Sequence, residues 1–308
     1  DGLLATGRPL GDRHSQVAVG AGIEADVIHL SSAQILSYKK VGDEYYLLTI
    51  VAPEIAELTQ PGQFVNLLPR RDAQFILRRP FSVYKVNRRG NWAATIEVVF
   101  DIRGGGTAAL AALRPHDTID IIGPVGRPFA IPKTRHSCLL VGGGIGAVPL
   151  FYLGEKLKAA GKRVDTLWGA ARASRLLNPI DAKRLGSVSV FTTEDGSEGH
   201  HGIVTDLLPG MIERCGTEVI YACGPHRMMA AVTAIGQEHG IPVQVAMEAL
   251  MGCGYGVCMT CVQPVWNRQR DEIVHVRTCV DGPVFSGARV AWDAFAPRAG
   301  AAPAPPGN

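Results

Sequence analysis

Cys138-Leu139-Leu140-Val141-Gly142-Gly143-Gly144-Ile145-Gly146-Ala147 is the stretch on which the architecture turns. A short apolar run breaks into glycines and then enters a segment, 148–160, with helical composition. Strand, glycine turn, helix is how a βα unit opens. Gly142, Gly144 and Ala147 also match the G-x-G-x-x-[GA] spacing of a dinucleotide turn, where small residues let the backbone approach a pyrophosphate at a helix N-terminus. By itself the match reads equally well as a tight strand-to-helix turn. No acidic residue closes the next strand, where a Rossmann domain holds a ribose, so an ordinary dehydrogenase of that type is not predicted.

Downstream the alternation continues. Strands are predicted at 163–168, 188–192 and 218–222, with helices at 177–185, 204–211 and 226–239, the pattern of a parallel sheet covered on both faces. The last strand runs into Cys223-Gly224-Pro225, which puts Cys223 at a carboxyl end, where open α/β sheets bind ligands; its alternative is a buried cysteine acting as a small hydrophobe. Upstream, β-rich runs at 45–51, 64–68 and 95–100 are separated by turn residues such as Gln60-Pro61-Gly62 and Arg89-Gly90-Asn91, which predicts an antiparallel barrel with one short helix at 107–113. The organisation predicted is therefore multi-domain β plus α/β. A weakly organised extension spans 1–30, a barrel 31–133, an α/β domain 134–246, a small cysteine-rich unit 247–295 and an Ala/Pro/Gly tail 296–308.

The 308 residues carry 31 basic and 28 acidic side chains, a balance that gives no reason to invoke nucleic acid. No run of about 18 apolar residues predicts a membrane span, and no leader pattern marks secretion. Four of the seven cysteines crowd into 253–279. In a chain neither short nor visibly secreted, such clustering points to a metal or redox centre in a cytoplasmic protein.

Cys253-Gly-Tyr-Gly-Val-Cys258-Met-Thr-Cys261, with Cys279 downstream, has the C-x4-C-x2-C…C spacing of plant-type [2Fe–2S] ligands. Four thiolates must converge on two irons, and Gly252, Gly254 and Gly256 let the chain wrap closely with N–H groups turned toward sulfur. A four-cysteine zinc site is the alternative, but it more often uses two C-x2-C knuckles, and here there is one. Arg79-Pro80-Phe81-Ser82 aligns a cation for a pyrophosphate, an aromatic face and a hydroxyl on one extended segment, though Arg78-Arg79 could equally be a solvated face. Gly104-Gly105-Gly106-Thr107 precedes the short helix, with Thr107 readable as its N-cap. His200 and His201, near Asp195 and Glu198, lie in turn chemistry and read as a solvated loop rather than a metal site.

Taken in order, Arg79-Pro80-Phe81-Ser82, Gly104-to-Thr107, Gly123-Pro124-Val125-Gly126, Gly142-to-Gly146 and Cys223-Gly224-Pro225 resemble the ferredoxin–NADP reductase superfamily over 31–245. With the cysteine loop, Cys279-Val-Asp-Gly-Pro-Val-Phe285, and Glu194-Asp195-Gly196-Ser197 running on to Leu208, the chain resembles the electron-transfer subunits of bacterial dihydroorotate dehydrogenases. The resemblance implies FAD on the barrel, held by Arg79, Pro80, Phe81 and Ser82, lined by Val99 and Phe100, with Gly106 and Thr107 at the pyrophosphate. It implies NAD(H) near Gly142, Gly143, Gly144, Ile145, Gly146, Cys223, Gly224 and Pro225, with Ser82 and Cys223 at the flavin–nicotinamide contact. The cluster falls to Cys253, Cys258, Cys261 and Cys279. The implied partner is an FMN-containing catalytic subunit, in a heterotetramer. Flavin subunits of ferredoxin- or sulfide-linked NAD(P)H oxidoreductases are similar, but there the first cluster ligand is an aspartate where this chain has Cys253. Asp101 departs from the family's usual basic residue, the 261–279 segment is long enough to predict a hairpin, and Arg172, Ser174 and Arg175 could receive a 2′-phosphate.

Overall fold

The computed structural model describes residues 29–69 and 75–295; of the extension predicted over 1–30, residues 1–28 lie outside them and the last two open the first barrel strand, and the tail over 296–308 also lies outside them. The first unit is built from β1 (His29–Val41), β2 (Tyr45–Val51), α1 (Pro53–Leu58), β3 (Phe64–Leu68), β4 (Arg79–Arg89), β5 (Trp92–Phe100), α2 (Gly105–Ala111) and β6 (Thr118–Val125). Its strands close into an antiparallel barrel in the order β1-β2-β5-β4-β3-β6. Alternation fills it: Val65 and Leu67 on β3, Phe81 and Val83 on β4 and Ile96, Val98 and Phe100 on β5 share one core.

The second unit runs through β7 (Ser137–Gly143), α3 (Val148–Ala159), β8 (Arg163–Ala170), α4 (Pro179–Leu185), β9 (Ser189–Thr193), β10 (His200–His201), α5 (Val204–Cys215), β11 (Val219–Cys223), α6 (His226–Glu238) and β12 (Val243–Ala246). The opening apolar run is buried on both faces: Cys138 and Leu140 pack with α3 and α4, whereas Leu139 and Val141 pack with α5 and α6. That two-sided cover explains why the strand reads as continuous hydrophobics rather than alternating ones. α5 outruns the prediction by a turn, because its buried stripe of Val204, Leu208, Met211 and Ile212 continues to Cys215 past Pro209. The two histidines form a short strand, parallel to Thr192 and Thr193, instead of the expected loop.

The cysteine-rich unit adds β13 (Val262–Trp266), β14 (Ile273–Arg277) and β15 (Val284–Ser286). β13 and β14 make the hairpin that the long spacing before Cys279 predicts. β15 does not stay apart: it pairs antiparallel with β12, giving a seven-stranded sheet ordered β10-β9-β8-β7-β11-β12-β15. The barrel rests on the α3 face of that sheet, where Tyr45, Leu47, Tyr84 and Val99 join the core of the α/β unit. Lys85 Nζ reaches Asp181 at 3.2 Å and Glu155 at 3.3 Å across the same seam. No helix among the described residues is long and apolar enough to cross a membrane.

Candidate functional site

In the order β9-β8-β7-β11-β12, strand connections change direction between β7 and β11, and ligands of open sheets bind beyond the carboxyl ends at such a point. The glycine turn after β7 and the Gly224-Pro225 turn after β11 meet there. A Cβ at Gly146 would stand 2.6 Å from Gly224 Cα and 2.9 Å from the Cys223 carbonyl oxygen. A cleft of about 730 Å³ opens above them, lined by Gly143, Gly144, Ile145, Gly146, Gly224 and Pro225. Gly142 lies beneath, its missing side chain making room for the Trp168 ring.

Cys223 is where expectation and structure part. Its side chain is buried and does not line the cleft; Sγ lies 3.3 Å from the Ala246 carbonyl oxygen, and burial pushes the thiol far above its usual range. The pleat of β11 turns the thiol into the sheet while the following Gly224 faces the cleft, so Cys223 is the buried small residue of its alternative reading.

On the barrel, the two arginines divide. Arg78 is committed to Asp120 at 2.7 Å, whereas Arg79 lies over the Phe75 ring at 5.1 Å and donates to the Leu77 carbonyl. The Arg79 guanidinium also reaches the start of α2: a Cβ at Gly106 would meet its Cζ at 2.8 Å. A fixed cation thus stands at a helix start whose first N–H groups lack intrahelical partners. Thr107 is not the N-cap; Gly104 is, and the Thr107 hydroxyl accepts from the Arg103 and Gly104 N–H groups at 2.9 and 3.2 Å. Phe81 does not offer a face for a flavin either, because it is buried in the barrel against Phe100, ring centroids 5.7 Å apart. Pro80 and Ser82 alternate to the partly exposed side. Val99 and Phe100 are both buried, Val99 toward the α/β unit and Phe100 into the barrel.

The cysteine loop is seated on the barrel. Cys261 and Cys279 pack with Phe64, Ile122 and Val125. Gly254, at φ +77°, leaves no room for a side chain because Asn66 occupies that space and donates to its carbonyl at 3.2 Å. Arg277 donates to the Gly256 carbonyl at 2.8 Å. N–H groups do turn toward sulfur: Val257 and Cys258 donate to Cys253 Sγ at 3.3 and 3.4 Å, and Cys253 donates to Cys258 Sγ at 3.3 Å. The Thr260 hydroxyl, 3.1 Å away, and the Cys253 N–H hold the Cys258 thiol well below its usual range, while burial raises Cys279. Cys261 Sγ and Cys279 Sγ are 3.2 Å apart. Among the described residues no three His, Cys, Asp or Glu side chains converge on a single point. Cys261 and Cys279 thus form one close thiol pair, while Cys253 and Cys258 are joined through the N–H bonds of their loop.

Several residues near these sites carried no motif. Glu44, from the turn before β2, accepts from Arg172 at 2.6 Å and Ser174 at 3.0 Å and pairs with Arg175. Asp101, marked in the sequence only as a departure from a usual basic residue, accepts from Arg103 at 2.9 Å and Arg175 at 3.0 Å. Asn66 and Tyr45, whose hydroxyl donates to the Arg175 carbonyl at 2.9 Å, are likewise invisible to spacing arguments.

Known proteins give the arrangement its context. Residues 248–291 match the iron-sulfur cluster binding domain of dihydroorotate dehydrogenase B. The chain is 32% identical over 261 residues to the dihydroorotate dehydrogenase B (NAD(+)) electron transfer subunit of Desulforamulus reducens, covering 85% of this chain and 98% of that one. The Shouchella clausii subunit of the same name is 34% identical over 253 residues, with 82% and 94% covered. Among solved structures, an NADH-dependent reduced ferredoxin-NADP oxidoreductase superposes with TM-score 0.74 at 29% identity, covering 86% of this chain and 91% of the other. A ferredoxin NADP+ reductase from Neisseria gonorrhoeae, with bound FAD and NADP, shares the fold at TM-score 0.56 and 19% identity, covering 68% and 92%.

Proposed function

Because the chain belongs to the family of dihydroorotate dehydrogenase B (NAD(+)) electron transfer subunits, we propose that it carries electrons from the FMN of a catalytic partner subunit to NAD+, in a cytoplasmic heterotetramer serving pyrimidine synthesis. The observation that carries this reading is β3. Phe64 packs with Cys261 and Cys279 and pairs across the ladder with Ser82, while Asn66, two residues on, holds Gly254 of the cysteine loop. One strand thus joins the cysteine loop to the segment proposed for the flavin.

Cys253 with Cys258, and Cys261 with Cys279, would each hold one iron of a [2Fe–2S] cluster. Arg79 and the start of α2 would hold the FAD pyrophosphate. Ser82, partly exposed and with a hydroxyl that takes no partner among the described residues, would offer that hydroxyl to the flavin ring. Gly143 to Gly146, Gly224 and Pro225 would seat the nicotinamide nucleotide. Together the bound cofactors convert single electrons into a hydride for NAD+. The chain's work is to bind, orient and exclude water: N–H groups of the loop point at the sulfurs of Cys253 and Cys258, and the Phe64–Ile122–Val125 patch keeps Cys261 and Cys279 dry.

Anaerobic addition of NADH to the isolated chain tests the reading. Bleaching of a flavin band in a brown protein is the expected result. A colourless protein that retains zinc, or a flavin untouched by NADH, would sink it. Identification of the subunit that co-purifies names the donor.

A further inference from the structure

A nucleotide site of this topology usually has an acidic residue at the end of the second strand, to accept from the ribose 2′-hydroxyl. Here that strand is β8, which ends at Ala170 with no carboxylate following; Arg172, Ser174 and Arg175 come next. Taken alone, two arginines and a serine describe a seat for a 2′-phosphate. The fold fills that seat from the other unit. Glu44, in the turn between β1 and β2, accepts from Arg172 Nη2 at 2.6 Å and from Ser174 Oγ at 3.0 Å, and pairs with Arg175. Asp101 takes a second bond from Arg175 at 3.0 Å. Arg172, Arg175 and Glu194 line the cleft, whereas Glu44, Ser174 and Asp101 do not, so Glu44 meets the two arginines from behind the wall. Desolvation works against the ionised form of Glu44, yet bonds from Arg172 and Ser174 and the charges of Arg175 and Arg172 hold its carboxyl below the usual range.

We propose that Glu44 sets the nucleotide choice of this cleft: from behind the cleft wall its carboxylate occupies the Arg172–Ser174–Arg175 seat and neutralises the two arginines that would otherwise draw a 2′-phosphate, leaving the cleft to a nucleotide with a free ribose 2′-hydroxyl. The proposal rests on the reading of the cleft as the NAD(H) site. A ribose hydroxyl needs no cation there; a phosphate dianion does, and would have to strip Glu44 from both arginines while facing Glu194 in the cleft wall. The selecting carboxylate thus comes from the barrel rather than from the nucleotide-binding unit, and it selects while the two units are docked together.

The test is binding of adenosine 2′,5′-bisphosphate and of 5′-AMP to the full holoprotein, by calorimetry, for the unaltered chain, Glu44→Gln and Asp43→Asn. Glu44→Gln keeps the shape and removes the charge. It should tighten the bisphosphate by about tenfold or more while leaving 5′-AMP within about threefold. In flavin reduction, the NADPH/NADH ratio of kcat/KM should rise by a similar factor. Asp43→Asn, an equal charge change on the same exposed turn, should move neither. An unchanged bisphosphate affinity, an equal change for both ligands, or the same gain in Asp43→Asn overturns the proposal. If NADH leaves the flavin of the unaltered chain oxidised, the function proposed above fails; the ligand-binding comparison needs no electron transfer and still judges Glu44.

Discussion

Gly106→Ala separates the flavin site from the fold. Gly106 sits in the first turn of α2 with ordinary helical backbone, so alanine is conformationally allowed, and its helix propensity favours the chain by up to about 1 kcal/mol. What alanine cannot do is coexist with Arg79. Its Cβ would stand 2.8 Å from Cζ and 2.9 Å from Nη2, with Nε nearer still. Those atoms are the far end of a flexible side chain, so the helix need not move; the guanidinium must. If Arg79 holds the FAD pyrophosphate, displacing it forfeits a charge-assisted hydrogen bond worth about 1.5–3 kcal/mol. At about 1.4 kcal/mol per tenfold, that is an FAD affinity roughly 10- to 150-fold weaker. The assay has two arms: FAD titration of the deflavinated protein by fluorescence quenching, and thermal melting of the same protein without FAD. The expected outcome is weaker FAD binding with an unchanged or slightly higher melting temperature. Unchanged FAD affinity refutes the role of Arg79, and a melting temperature lowered in both forms refutes the claim that the strain falls on a side chain alone.

Gly146→Ala is the contrasting case, because its Cβ meets the backbone of Gly224 and the Cys223 carbonyl; separating the two turns should cost about 1–3 kcal/mol in denaturant unfolding and weaken NADH binding in titration. Cys258→Ser and Cys279→Ser should each abolish the cluster's visible absorption, while Cys215→Ser, buried at the end of α5, should leave the spectrum intact. Burial pushes Cys138 up to about 11 and Cys223 higher, so in the folded protein at pH 8 both stay protonated and should resist iodoacetamide; mass spectrometry finding Cys223 alkylated without unfolding would restore it to the cleft.

Spacing along the chain was enough for the elements whose chemistry is local. The C-x4-C-x2-C loop needs its ligands on one tight turn, and the glycines after Val141 need only a strand before them and a helix after. The change from β-rich runs to strand–helix alternation near residue 136 marks the boundary between barrel and sheet, because each architecture imposes its own period of burial. What spacing could not reach is contact between distant segments. Phe81 and Cys223 stand inside motifs, yet the pleat of β4 and β11 turns both side chains inward, a parity set by which face of each strand meets the core. Thr107 lost the cap to Gly104 because the helix begins two residues earlier than its composition suggests.

The sequence by itself determined the cofactor chemistry of this protein: four thiolates at cluster spacing, an arginine beside a glycine-rich helix start, and a strand-to-helix glycine turn. Most of those features are set by residues within a few positions of one another; that Arg79 stands beside the glycine-rich start of α2, and that Cys279 reaches Cys261, came from the fold. Only the tertiary structure decided how the pieces serve each other. β15 joins the cysteine unit to the parallel sheet, Asn66 of the barrel grips the cysteine loop from 188 residues away in the chain, and Glu44 reaches 128 residues to Arg172. The physical reason is that burial and charge pairing act through space. A carboxylate in a turn carries no sign of its partner until the barrel docks on the sheet and brings two arginines within hydrogen-bonding distance.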